Sequence, residues 1–189
     1  MHSNLPKPTH FGRWAVYAHK DDTGFGRMAN DVRGVLGFGY HLVIPSERLN
    51  DHPVDGITEQ WLPRDAPTDK VRSLLSGLSG ILFFERHTWH PEILRIAREM
   101  GIATICIPMW EWFQGNATEW KYCDLFVCPS RFTEQIVHSY GFTNTCCLPW
   151  PLDLAKLPHR HVRGPARHFI HNAGLVDPDD RKGTRDTIE

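Results

Sequence analysis

The feature that most constrains the fold of this chain is the alternation of short apolar segments with helical segments of about ten residues. Strands that alternate with helices form parallel sheets covered on both faces, and right-handed crossovers make such sheets doubly wound. The sequence therefore predicts an α/β fold with a Rossmann-like, doubly wound parallel sheet. The predicted strands are residues 14–19, 40–44, 81–84, 102–109, 124–128 and 145–148, and the predicted helices are residues 27–36, 69–78, 91–100 and 131–140.

Several residues mark the ends of the predicted helices. Ser130 and Thr68 each precede a helical segment and are predicted N-caps, because their hydroxyl oxygens can accept hydrogen bonds from the first turn. Glycine accepts the left-handed conformation at a helix C-terminus best. The glycines that follow three of the helices are Gly37, Gly101 and Gly141.

Composition excludes several classes of function. The 189 residues carry a formal net charge of -1, so the chain offers no basic field for nucleic acid, and no nucleic-acid-binding module is recognisable. No apolar run approaches the ~18 residues of a transmembrane helix, and residues 1–10 lack an apolar signal core, so a cytoplasmic protein is expected. The five cysteines lack zinc-site spacing, so buried free thiols and no metal site are predicted.

The composition of the chain also predicts its division into domains. Residues 1–150 hold the alternating pattern and form the predicted first domain. Residues 151–166 are rich in Pro, His and Arg, as linkers often are. Residues 167–189 read as one strand and half a helix, which cannot bury a core. We therefore expect them to begin a second α/β domain that this chain does not contain.

A glycine-rich segment between the first strand and the first helix is the strongest local signal of binding. Gly24 and Gly26 would let the backbone approach a phosphate, and the N-terminus of the helix favours an anion. With Ala29 and Glu47 the pattern also fits a dinucleotide fingerprint, which makes an NAD(P)-dependent oxidoreductase an alternative. In that fingerprint the first glycine follows the strand directly, whereas residues 20–23 intervene here. A third interpretation is a loop that uses glycine only to turn.

Three polar or aromatic clusters follow predicted strands, at the edge where open parallel sheets bind ligands. Carboxylates and imidazoles there could act as acid, base or hydroxyl-binding groups, and indoles beside a carboxylate suit a sugar. Structural roles explain the same residues: a salt bridge, a cap on the core, or the N-cap of a helix. The clusters are Glu85-Arg86-His87 with His90, Trp110-Glu111-Trp112 and Pro129-Ser130-Arg131.

Taken in order, these motifs resemble the N-terminal domain of a GT-B glycosyltransferase of the retaining family 4 (glycosyltransferase group 1). The resemblance extends over nearly the whole chain and depends on the order and spacing of its motifs. The matching segments are residues 24–29, residues 123–132 followed by a helix and Gly141, residues 148–153, residues 169–174 and residues 181–183.

The resemblance implies transfer of a sugar from a nucleotide-sugar donor to a carbohydrate or other hydroxyl acceptor, in a cleft between two Rossmann-like domains. Gly24, Gly26 and Arg27 would lie at the donor phosphates. Arg181 and Lys182 would neutralise the leaving diphosphate without a metal, so no cofactor is expected. In place of the arginine that the family has after its glycine, this chain has Leu175. The acidic pair of the family would lie beyond residue 189.

The clusters that follow the predicted strands supply the acceptor side of this prediction. Glu111 and His87 are the predicted catalytic residues, in contact with the acceptor or the transferred sugar. Glu85, Trp110 and Ser130 are predicted to bind the acceptor. Without the second domain the chain is expected to turn over little or nothing. A non-catalytic sugar- or protein-binding module of the same fold remains an alternative.

Overall fold

The computed structural model describes most of residues 11–149. Contacts divide the chain into two units, with the boundary after Trp150, and all described residues belong to the first unit. The predicted linker and second domain lie outside the described residues. The structure describes residues 11–21, 24–45, 56–84, 89–111 and 113–149.

Seven parallel strands form one sheet in the order β3-β2-β1-β4-β5-β6-β7. The chain starts in the middle of the sheet, adds β2 and β3 on one side, and then returns to add β4 to β7 on the other. This order confirms the predicted Rossmann-like, doubly wound sheet. The strands are β1 Trp14–His19, β2 Tyr40–Ile44, β3 Thr58–Trp61, β4 Gly80–Phe84, β5 Ala103–Ile107, β6 Leu125–Cys128 and β7 Thr145–Cys147.

Helices cover both faces of the sheet. The buried Ala29 of α1 packs on one face, against Val16 and Leu82. The buried residues of α2, α3 and α4 pack on the opposite face, around Tyr17 and Phe83. Within the described residues, no helix is long and apolar enough to cross a membrane. The helices are α1 Gly24–Leu36, α2 Thr68–Leu75, α3 Ile93–Glu99 and α4 Arg131–Ser139, with a 3₁₀ helix at Thr118–Tyr122.

The central strand β4 shows why the apolar runs predict a parallel sheet. Every residue of Gly80–Phe84 is buried, because helices cover both of its faces. Gly80 at its start has a packing role: a Cβ at this position would lie 2.4 Å from the indole of Trp14. Only glycine fits at the start of this strand, because the indole of Trp14 occupies the space that a side chain would need.

The structure differs from the sequence predictions at several points, besides small shifts at the ends of other helices and strands. Strand β3 was not predicted, because Thr58–Trp61 lacks an apolar run and lies at the sheet edge. The 3₁₀ helix was also not predicted. Helix α1 begins at Gly24 rather than at residue 27, so both glycines lie in its first turn. The N-cap of α2 is Pro67, so the prediction that Thr68 caps this helix was wrong.

The predicted helix ends are confirmed. Gly37, Gly101 and Gly141 each have a positive φ, of 70°, 69° and 88° respectively. Residues with a side chain adopt this conformation at a cost, which explains why glycine follows these helices.

Candidate functional site

The candidate site is the edge of the sheet at which all seven parallel strands end. Its centre lies between β1 and β4, because the chain continues from β1 toward one side of the sheet and from β4 toward the other. Open α/β sheets bind their ligands at such a switch point. The segments that leave β1, β4, β5 and β6 therefore decide the chemistry.

Helix α1 begins beside the end of β1. Gly24, its first residue, is exposed, and a Cβ there would meet nothing within 4 Å. Arg27 in the same turn is also exposed. The start of α1 therefore has open space and a cation at its surface, as the predicted donor-phosphate site requires. That role remains a prediction.

Gly26 has a structural explanation. A Cβ at this residue would lie 2.1 Å from the backbone oxygen of Asp21 and 2.5 Å from its Oδ1. Asp21 is itself buried, two residues after the end of β1. The absence of a side chain at Gly26 therefore lets α1 start against the end of β1, with a carboxylate beside its first turn.

An exposed aromatic pair lies where β5 and β6 end. Trp110 is 50% exposed and Phe132 53% exposed, and their rings meet edge to face with centroids 5.5 Å apart. Glu111 follows Trp110 and is exposed, and Arg131 precedes Phe132 and is exposed. The arrangement combines apolar ring faces with a carboxylate and a guanidinium, which are the groups that bind the faces and hydroxyls of a sugar.

Ser130 joins this cluster to α4. Its Oγ accepts a hydrogen bond of 3.1 Å from the backbone N–H of Thr133, which confirms the predicted N-cap. The same Oγ lies 3.0 Å from Thr133 Oγ1. Ser130 therefore positions Arg131 and Phe132 at the start of the helix, and its contact with an acceptor remains a prediction.

Replacing Ser130 by alanine is expected to lower the free energy of unfolding by about 1 kcal/mol, because the backbone N–H of Thr133 loses its partner. Urea denaturation of wild type and Ser130→Ala measures the loss. Ser139→Ala, at the exposed end of the same helix, is the control and should change stability less. An equal loss in both variants would contradict the capping role.

A buried hydrogen-bond network fixes the residues on either side of residues 85–88. Trp89 Nε1 donates to the carbonyl of Phe84 at 3.0 Å, and the backbone N–H of His90 donates to the Tyr17 hydroxyl at 3.0 Å. That hydroxyl donates in turn to the carbonyl of Leu62 at 3.2 Å. Burial raises the pKa of Tyr17 to about 12, so the phenol stays a neutral donor at the switch point.

His90 is part of this network through both ring nitrogens. Its Nε2 lies 2.9 Å from the carbonyl of Ala66, which can only accept, so Nε2 carries the proton. Its Nδ1 then accepts from the backbone N–H of Glu92 at 3.2 Å. His90 is therefore a structural histidine that holds the start of α3 against the segment after β3.

A second buried polar cluster lies on the α1 face of β1, β2 and β3. Lys20 Nζ and Glu59 Oε2 form an ion pair of 2.7 Å, and Lys20 is buried. Arg33 and His41 are buried beside this pair. Burial and the neighbouring Arg33 lower the pKa of His41 to about 4, and burial also lowers the pKa of Arg33. Buried charged and polar side chains thus lie beside the end of β1. The sequence patterns did not indicate their burial.

The structure brings part of the predicted site together. Trp110, Glu111 and Ser130 lie at the ends of neighbouring strands, whereas the glycines follow β1, two strands from β5 and so about 10 Å away. Phe132 was missed, although its place in the first turn of a capped helix after a strand was visible in the sequence. The predicted residues outside the described part of the chain are Glu85, His87, Arg181 and Lys182, together with Glu47 of the dinucleotide alternative.

Comparisons with known proteins add no assignment. No protein-family model, curated protein or solved structure matches this chain. Among the described residues, no group of three or more His, Cys, Asp or Glu side chains is placed to hold a metal ion. The function is therefore inferred from the geometry of the site.

Proposed function

We propose that this chain is the acceptor-side part of a GT-B glycosyltransferase, which transfers a sugar from a nucleotide-sugar donor to a carbohydrate acceptor. The observation that carries the proposal is the exposed pair Trp110 and Phe132, with Glu111 beside it, at the carboxyl edge of a doubly wound sheet. Scattered exposed aromatic residues are common, but a paired set at a ligand-binding edge suits a sugar ring.

In this proposal the acceptor sugar packs an apolar face on Trp110, and Glu111 accepts a hydrogen bond from one of its hydroxyls. The carboxylate would raise the electron density on that hydroxyl oxygen, which is the nucleophile in sugar transfer. His87 is the second proposed catalytic residue. The donor phosphates would lie at Gly24 and Arg27, where the start of α1 is exposed.

The geometry favours this function over a dinucleotide-dependent oxidoreductase. The dinucleotide fingerprint places its first glycine in the tight turn directly after the strand. Here β1 ends at His19 and the first glycine, Gly24, already belongs to α1. The segment between the strand and the first glycine is therefore longer here than in the dinucleotide-binding fingerprint.

The test is carbohydrate binding by the full chain and by matched tryptophan variants. Saturation-transfer NMR against a panel of mono- and oligosaccharides identifies a binder, and a titration gives its affinity. Trp110→Ala should weaken binding about tenfold, because a stacking surface is lost. Trp61→Ala is the control, because Trp61 is similarly exposed, at 46%, but lies on the opposite edge strand β3.

The outcomes separate the candidate functions. Sugar binding that is lost in Trp110→Ala and kept in Trp61→Ala supports the proposal. A thermal shift with UDP-, GDP- or ADP-sugars then names the donor class, since ligands of the native state raise its stability. Binding of NAD or NADP without any nucleotide sugar would favour the oxidoreductase. Sugar binding without transfer in a protein that also carries the donor-side domain would favour a non-catalytic module.

A further inference from the structure

Four of the five cysteines lie near one another on one side of the sheet, and one pair of them differs from the rest. Cys106, Cys123 and Cys128 are buried, Cys147 is half-buried and Cys146 is exposed. Buried thiols in the middle of a core meet no oxidant. A thiol that is partly exposed and touches a buried one can pass an oxidation inward.

Cys128 and Cys147 are register partners. They are the last residues of β6 and β7, which pair in parallel with Cys128 opposite Cys147. Neighbouring strands lie about 4.8 Å apart, which falls within the Cα separation of about 4.4–6.8 Å that a disulfide spans. Register partners project from the same face of a sheet, so the two sulfur atoms are on one side.

The alternative pairings are less suitable. Cys146 is opposite Val127, on the other face of the sheet, so its sulfur is turned away from Cys128. Cys106 is opposite Phe126 across β5 and β6, and both Cys106 and Cys123 are buried. Among the described residues, Cys147 is therefore the one cysteine that is partly exposed and also has another cysteine, Cys128, opposite it on the same face of the sheet.

The partial exposure of Cys147 makes it the first of the two thiols to meet an oxidant. Arg131, at the start of α4, interacts electrostatically with Cys147, but it also forms an ion pair of 2.9 Å with Glu134. Exposure rather than charge therefore distinguishes Cys147. Burial raises the pKa of Cys128 to about 12, with further contributions from Glu134, Cys146 and Cys147, so Cys128 keeps its proton and is the poorer nucleophile for the first step.

We propose that Cys128 and Cys147 are a redox-sensitive modification site, in which hydrogen peroxide converts the two thiols into a disulfide across the ends of β6 and β7. The sulfur of Cys147 attacks the peroxide, the O–O bond breaks, and a sulfenic acid and one water form. The sulfur of Cys128 then attacks that of Cys147, the S–O bond breaks, and the departing hydroxide takes the Cys128 proton as a second water. Two thiols are oxidised and one peroxide is reduced.

The disulfide would join the points where β6 leads to Ser130 and β7 leads to Leu148. It would therefore restrain the same edge of the sheet that carries the aromatic pair. The site does not depend on the proposed function, because it rests on the register and burial of the two cysteines.

The test is peroxide treatment of the reduced full chain, followed by alkylation of free thiols and tryptic mapping. Cleavage after Lys121, Arg131 and Lys156 separates residues 122–131 from residues 132–156, so a link between the two peptides is visible as one species. Non-reducing electrophoresis of dilute protein shows whether the link is intramolecular. We expect the linked peptides from the monomer band.

Paired serine variants identify the sulfur atoms. Cys147→Ser should reduce the linked species about tenfold, whereas Cys146→Ser, its exposed neighbour, should leave it unchanged. Cys128→Ser, at the end of β6, and Cys123→Ser, just before β6, form the matching pair. A link through Cys146 or Cys123, a link only between molecules, or oxidation of Cys147 to the sulfinic acid without any link would overturn the proposal.

Discussion

Lowering the pH from neutral to about 4 is expected to cost the protein about 3 kcal/mol of unfolding free energy through His41 alone. His41 is fully buried, and its Nε2 lies 3.2 Å from the carbonyl of Ala18. Burial is the largest cause of its low pKa, followed by the charge of Arg33. The charge of Lys20 also lowers the pKa of His41, whereas the charge of Glu59 raises it.

The direction of the effect follows from proton binding. Above about pH 6.5 the histidine is neutral in both the folded and the unfolded chain, and it adds no pH dependence. Between pH 6.5 and about 4 the unfolded chain binds the proton and the folded protein does not, so stability falls as the pH falls. Below that range both states are protonated and the loss is complete.

Urea denaturation at several pH values tests this dependence. His41→Gln keeps a side-chain donor but does not titrate, and it should remove most of the decrease between pH 6.5 and 4.5. His138→Gln replaces an exposed histidine of α4 and should leave the decrease unchanged. If the two variants lose stability with pH equally, His41 is not the group responsible.

Replacing Gly26 by alanine is expected to lower the free energy of unfolding by about 3 kcal/mol, the upper end of the cost of overpacking. The new methyl group would lie 2.1 Å from the backbone oxygen of Asp21, and backbone cannot rotate away as a side chain can. Either α1 or the end of β1 must therefore move.

Gly24→Ala is the matched control for this substitution. It lies two residues earlier in the same helix, and its Cβ would meet no atom within 4 Å. Stability should stay the same or rise by up to about 1 kcal/mol, because alanine favours the helix. Circular dichroism and urea denaturation of both variants give the comparison. Similar stabilities for Gly24→Ala and Gly26→Ala would show that α1 is not held against Asp21.

The same two glycines show how far the sequence led toward the site. Their position after a strand predicted a loop with a place for phosphate and a helix from residue 27, whereas in the structure the helix begins at Gly24. The pattern did not reveal that Asp21 contacts Gly26, because two glycines look alike in a sequence even when only one of them has a neighbour. The distinction comes from residues brought together by the turn.

The aromatic pair shows the limit of the sequence in another way. Trp110 and Glu111 were recognised because they follow a strand, and Ser130 because it precedes a helix. Phe132 was not recognised as part of the same cluster, since β5 and β6 are separated by a 3₁₀ helix and an irregular segment. The rings of Trp110 and Phe132 come into contact because β5 and β6 are neighbours in the sheet.

The pattern of apolar residues and glycines is sufficient for the strand–helix alternation, because burial on both faces demands continuous apolar strands and a left-handed residue ends a helix most easily at glycine. The edge strand β3 and the burial of Lys20, Arg33 and His41 follow instead from long-range pairing. The ion pair of Lys20 with Glu59 joins residues 39 positions apart in the chain. A charged side chain can be buried only where another part of the fold provides an ion-pair or hydrogen-bond partner and shields it from water. The local sequence around the charged residue does not show which distant residues will do so.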